Sequence, residues 1–135
     1  MTAPKNSRDR RRMLRELARF AVVGGSAFAL GAAMIAVLEA AGVPALIAQA
    51  PALALCVTFT WACNRRWTFA AAVPPSWHEF GRYVATSAAG LGVNAACFTA
   101  LGLVGMASTP AFALSTLAAM LFNFAGYRRA VFLRR

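Results

Sequence analysis

Acidic residues are scarce in this sequence: four Asp and Glu stand against 14 Lys and Arg in 135 residues. Histidine occurs once, as His78, and aspartate once, as Asp9. A Ser-His-Asp arrangement would have to be assembled from two separate loops, so enzymatic chemistry of that kind loses ground. Cysteine occurs three times (Cys56, Cys63, Cys97), always in an apolar run and never as C-x-x-C. These offer too few ligands for zinc and no disulfide framework; they read as small buried hydrophobes. No enzyme activity, metal or cofactor is expected. Charged residues make up only 13% of the chain, against about 25% in a soluble domain. So few charges argue against a soluble monomer.

What the chain does have is apolar length. Hydrophobic residues reach 60%, with a formal net charge of +10. A basic balance points to nucleic acid or to an anionic membrane. The long uncharged stretches decide for the membrane, and no nucleic-acid partner is expected. Four runs stand out: Leu17 to Ala41, Pro44 to Cys63, Tyr83 to Met106 and Pro110 to Tyr127. Each is near or above the ~20 residues that cross a hydrocarbon core as a helix. Prolines mark the first turns of the second and fourth spans, with Thr109 as a candidate N-cap. Ser76-Trp77-His78-Glu79 fits a capping box for the third helix. The expected fold is an all-α integral membrane protein with four transmembrane helices, arranged as two antiparallel hairpins. Residues 1–16 form a basic cytoplasmic segment, and residues 17–135 a single four-helix membrane domain.

Counting charges by loop fixes the expected topology. Seven Lys and Arg lie in residues 1–19, three in the central loop to Tyr83 (Arg65, Arg66, Arg82) and four in the tail (Arg128, Arg129, Arg134, Arg135). The two short links between paired spans hold none. With four spans all 14 fall on one side, and the positive-inside rule makes that side, with both termini, cytoplasmic.

The hairpins read as copies of one another at a spacing of 63, about residues 16–69 against 79–132. Thirteen of 54 positions are identical, five of them alanine. The informative matches are Glu16/Glu79, Arg19/Arg82, Gly42/Gly105, Phe59/Phe122, Arg65-Arg66/Arg128-Arg129 and Phe69/Phe132. The arginines cluster where the spans meet the charged side, next to Asn64 and Asn123. Guanidinium groups bind phosphate through paired N–H donors. Arg19, Asn64, Arg65, Arg66, Arg82, Asn123, Arg128 and Arg129 are therefore the candidate head-group set, expected as a basic ring at one membrane face. Phe20, Trp67, Phe69 and Phe132 read as interfacial aromatics. Within the spans Gln49, Thr60, Asn94 and Thr116 stand at helical spacings as a polar seam, a pattern shared by plain helix–helix contact. Glu39 is the one acid inside a span and the candidate coupling carboxylate, though it lies near the outer end.

Arg19-Phe20-x-x-x-Gly24, Asn64-Arg65-x-Trp67-Thr68-Phe69 and Asn123-Phe124 followed by Arg128, Arg129 and Phe132 resemble the GtrA family over roughly residues 15–133. Ala130 departs from the second motif, which often has an aromatic there. The resemblance implies a small multi-pass protein of the bacterial cytoplasmic membrane that works in cell-surface polysaccharide synthesis or glycosylation. It implies translocation of a polyprenyl-phosphate-linked sugar, with Arg19, Asn64, Arg65, Trp67, Asn123, Arg128 and Arg129 as the residues to watch. No G-x-x-x-x-G-K-[ST] is present, so transport would be downhill or ion-coupled. Two alternatives stand beside this one. The first is a non-transporting subunit that holds a glycosyltransferase. The second is a small proton-coupled exporter similar to the small multidrug resistance family, which would need its acid deeper than Glu39. Expected partners are an anionic lipid, the membrane, a glycosyltransferase and a second copy of the chain, a dimer by preference. Ala21-x-x-x-Gly25 and Ala27-x-x-x-Gly31 offer close-packing patterns for that copy or for another helix of the same chain.

Overall fold

The computed structural model describes residues 5–132; Arg134 and Arg135, and the first four residues of the basic segment, lie outside them. The described residues form four long helices and no strand: α1 (Lys5–Ala40), α2 (Ala45–Cys63), α3 (Trp77–Leu103) and α4 (Ser108–Gly126). Each is long and apolar enough to cross a membrane. Their outward faces carry bare hydrocarbon: Phe28 is 79%, Leu46 80% and Leu103 84% exposed. In water such faces would drive aggregation; in lipid they are at home.

α1 runs 36 residues, about 54 Å at 1.5 Å per residue, well beyond a ~30 Å hydrocarbon core. It begins 12 residues before the expected span. The reason is local. Residues 8–17 are mostly Arg, Leu, Met and Glu, all good helix formers. Arg12 and Glu16 form an i,i+4 ion pair at 3.0 Å. Residues 5–16 of the basic segment are thus helical and continuous with the first span.

The helical links are alike in the two hairpins. Gly42 (φ 87°) and Gly105 (φ 84°) sit in the left-handed region, which glycine adopts without Cβ strain. At the first, Gly42 N–H donates to the Glu39 carbonyl at 2.9 Å and Val43 N–H to Leu38 at 2.9 Å. At the second, Gly105 donates to Gly102 at 3.0 Å and Met106 to Leu101 at 3.0 Å. Both are Schellman motifs, satisfying carbonyls that a helix end leaves open. This shared turn sets where the next helix starts. Pro44 is itself the N-cap of α2 and Ala107 the N-cap of α4, neither with a side-chain cap bond. Thr109 is therefore inside α4 rather than capping it, and Pro110 occupies the third helical position, where an N–H would still be free. At α3 the N-cap half of the expected capping box is present: Ser76 Oγ accepts from the Glu79 N–H at 3.1 Å. Pro51 lies within α2 without ending it.

The chain divides into two compact units at Ala72, one hairpin in each. In the first, α1 packs on α2 through Val23, Ala27, Ala48 and Ala52, all buried. Ala27-x-x-x-Gly31 is used here, inside the hairpin: Cys56 Sγ donates to the Ala27 carbonyl at 3.1 Å, and a Cβ on Gly31 would lie 2.7 Å from that sulfur. In the second, α3 packs on α4 through Tyr83, Gly90, Ala111 and Ser115. Ala27/Gly90, Ala48/Ala111 and Ala52/Ser115 are again 63 apart, so small residues bring the backbones together at equivalent points.

Candidate functional site

Each hairpin closes on a π-helical turn, Asn64–Thr68 after α2 and Tyr127–Phe132 after α4. π-turns are rare and are frequent at functional sites. Both fall on the arginine motifs, at positions 63 apart. In the first turn the Phe69 N–H donates to the Asn64 carbonyl at 2.9 Å, an i→i+5 bond that admits one extra residue. The Asn64 side chain supports the same turn: its Oδ1 accepts from Thr68 Oγ1 at 2.8 Å. Asn64 is 1% exposed. The asparagine expected to face a head group is thus turned inward and organises the turn that carries Arg65 and Arg66.

Arg19, from α1, reaches this turn. Its Nη1 donates to the Trp67 carbonyl at 2.9 Å, and its guanidinium lies 5.5 Å from the Trp67 ring centroid, within cation–π range. Trp67 stays 45% exposed, as an interfacial ring would. Phe20, Phe69 and Phe132 do not fit that belt: all are buried. Each π-turn packs back on the opening helix of its hairpin, which carries these rings into the core. Arg65 is buried and Arg66 exposed. Below the turn lies a polar cleft of about 190 Å³ whose lining includes Arg12, Arg15, Glu16, Arg19, Thr68 and Ala70. Arg12, Arg15 and Glu16 are absent from the set expected from sequence; the signal available was the recurrence of Glu16 as Glu79.

The second hairpin solves the same problem with aromatics. Tyr83 stacks on Tyr127 with centroids 4.1 Å apart and planes 13° off parallel, and Phe132 lies 6.0 Å from Tyr83. The Tyr127 hydroxyl and Ser87 Oγ share a hydrogen bond of 2.6 Å. Tyr83 and Tyr127 occupy the repeat positions of Phe20 and Asn64, so the second turn is held by a stacked pair where the first uses an amide. Ala130 takes the place of Trp67, which leaves Arg82 without an indole partner at that position. Its Nε is buried with no hydrogen bond among the described residues. Arg128 is half-buried and Arg129 exposed.

Two members of the expected seam lie in each hairpin. Asn94 Nδ2 donates to Ser115 Oγ at 3.5 Å and to Thr116 Oγ1 at 3.4 Å; Ser115 is fully buried and is the residue that sequence reading missed. Asn123 Oδ1 is buried without a hydrogen-bond partner among the described residues, pressed against the backbone of Gly90. In the first hairpin Thr60 Oγ1 donates back to its own helix at Val57, 3.1 Å away. Gln49 is exposed and lines an apolar groove of about 610 Å³ with Phe28, Gly31, Leu46 and Cys56. Neither joins a polar seam within its hairpin. Glu39 is exposed in the last turn of α1, beside the Gly42 link.

Comparison with curated proteins finds no match. Residues 19–132, nearly the whole described chain and both π-turns, match the family described as GtrA/DPMS, transmembrane domain. Four spanning helices and paired basic turns agree with that match, and the chain belongs to the GtrA/DPMS transmembrane-domain family, a multi-pass membrane family of glycosylation and polysaccharide synthesis.

Proposed function

We propose that this protein translocates a polyprenyl-phosphate-linked sugar across the bacterial cytoplasmic membrane, with both termini on the cytoplasmic side. The observation that carries the reading is the recurrence of one device in both hairpins. In each, a π-turn carries two consecutive arginines and the opening helix carries a third: Arg65 and Arg66 with Arg19, which bonds to its turn at Trp67, then Arg128 and Arg129 with Arg82. A phosphate cannot enter hydrocarbon unpaired, because burying a naked charge is very costly. Guanidinium groups held at the ends of spans meet that cost with directed, charge-assisted hydrogen bonds. In the second hairpin Asn94, Ser115 and Thr116 extend polar character from the turn toward mid-span, a direction a sugar's hydroxyls would follow while the prenyl tail stays in lipid. Glu39 sits exposed at a helix end, poorly suited to proton coupling within the membrane.

Native mass spectrometry of the purified protein tests this, with polyprenyl phosphate, its sugar-linked form and neutral polyprenol. The phosphate-bearing lipids should bind selectively. Arg65→Ala and Arg128→Ala should each weaken them by about ten-fold, the scale of one lost charge-assisted bond. The same spectra should show a dimer. Equal binding of all three lipids would instead favour a subunit that holds a glycosyltransferase. Glu39→Gln should leave flipping in vesicles unchanged; loss of flipping would turn the reading toward proton coupling.

A further inference from the structure

We propose that the arginine-rich start of α1 builds a site for a phosphate monoester in the first hairpin, one that shares Arg19 with the head-group set. It does not rest on the translocation reading, and two of its three arginines precede the family match, which begins at residue 19. Arg12, Arg15, Glu16 and Arg19 recur at the three- and four-residue steps that share one helix face. They line a cleft of about 190 Å³ together with Thr68, Phe69 and Ala70. One water needs only ~10–15 Å³ of such space, so a polyatomic anion has room.

The chemistry of the lining selects its charge. Three guanidiniums against one carboxylate leave a formal surplus of two positive charges. A phosphate monoester carries about −1.5 to −2 at neutral pH, whereas a diester carries a single charge. Two of the arginines are already oriented: Arg12 Nε is held by Glu16 Oε1 at 3.0 Å, and Arg19 by the Trp67 carbonyl at 2.9 Å. Each keeps further N–H donors. Arg15 forms no hydrogen bond or ion pair among the described residues. Across the cleft Ala70 adopts φ 47°, a left-handed conformation that favours glycine; that strained residue turns the chain at the edge of the cleft. The second hairpin has no such cleft chemistry: Pro75 and His78 stand where Arg12 and Arg15 do, and Val131 where Thr68 does.

The monoester can be lipid-borne or soluble, and the test separates the two. The full chain in phosphatidylcholine nanodiscs is titrated with glycerol 3-phosphate, with tryptophan fluorescence as readout because Trp67 lies against Arg19. In parallel, retention of phosphatidic acid is compared with that of phosphatidylglycerol by native mass spectrometry. Phosphatidic acid should be retained about five-fold or more over the diester. Arg15→Ala should lower monoester affinity about ten-fold, the loss of one charge-assisted partner. Arg10→Ala, an equal charge loss away from the cleft, should not. Competition by glycerol 3-phosphate would identify the phosphate alone as the ligand; retention of phosphatidic acid without such competition would make it a lipid head-group site. Equal retention of both lipids, or equal effects of Arg10→Ala and Arg15→Ala, would overturn the proposal as diffuse charge attraction. An unaffected Arg15→Ala beside weakened Arg65→Ala and Arg128→Ala overturns this site alone; the reverse overturns the translocation reading alone. Circular dichroism of Arg15→Ala guards against a folding loss.

Discussion

At the scale of single residues, close packing rather than charge sets the sharpest expectations. A Cβ on Gly90 would collide with the Asn123 carboxamide, whereas one on Gly24 would meet nothing within 4 Å. Gly90→Ala should therefore destabilise the protein by about 1–3 kcal/mol, as overpacking does. Gly24→Ala, with equal helix propensity gained, should be neutral or stabilising by about 0.5–1 kcal/mol. Thermal unfolding in detergent, read by helicity, checks the pair; equal shifts would mean that Gly90 and Asn123 are not in contact. Thr68→Val removes a donor to buried Asn64 Oδ1 and should cost about 0.5–1.5 kcal/mol, the net worth of one hydrogen bond. The sequence makes Asn64 conspicuous but not its duty. An asparagine before two arginines looks like a ligand donor. The i→i+5 bond that turns it inward has no signature in residue type. Arg19 is legible as important for the same reason that its partner is not: a bond to the Trp67 carbonyl leaves no trace in side-chain pattern.

At the scale of elements, the repeat was the informative signal. A spacing of 63 pairs Gly42 with Gly105, and both prove to be left-handed closures of Schellman motifs. Gly42→Ala and Gly105→Ala should each cost about 1–2 kcal/mol, the strain of a Cβ in that region. Deviation at one position only would mean that the two links have different local geometry. The spans themselves were legible because apolar length in lipid leaves helices as the choice for such runs. The start of α1 was not, because a dense arginine run reads as a topology anchor, while the Arg12–Glu16 pair and strong propensity keep it helical. The second π-turn was hidden too, since its clamp replaces an amide by aromatic stacking. Tyr127→Phe keeps that stack but deletes the hydroxyl bonded to Ser87 at 2.6 Å. It should lower stability modestly, by about 0.5–1.5 kcal/mol, and Ser87→Ala should match it. If Tyr127→Phe were silent while Ser87→Ala was costly, the serine's bond to the Tyr83 carbonyl would be the important one.

At the scale of the whole molecule, charge placement dictates insertion. All 14 Lys and Arg lie outside the two short interhelical links, and each central Lys or Arg costs about 2.5–3.5 kcal/mol to place in a bilayer. An inverted chain would have to carry the arginines of α1, the central loop and the tail across together, so a single orientation should dominate. Alkaline phosphatase fused after Gly42 or Gly105 should be active, and fused after Ser76 or Arg135 inactive, with a fluorescent protein showing the opposite pattern. Activity after Ser76 would mean that one helix of the first hairpin fails to span, and the four-span count would fall. The asymmetry can also be titrated. Arginines added on both sides of Gly42 should create a population with the first hairpin misinserted, because that link owes its crossing to having no positive charge. Removing Arg8, Arg10 and Arg11 from that variant should enlarge the population; removing them from the unaltered chain should not create one, since Arg12, Arg15 and Arg19 still flank the span and sit nearest to the membrane.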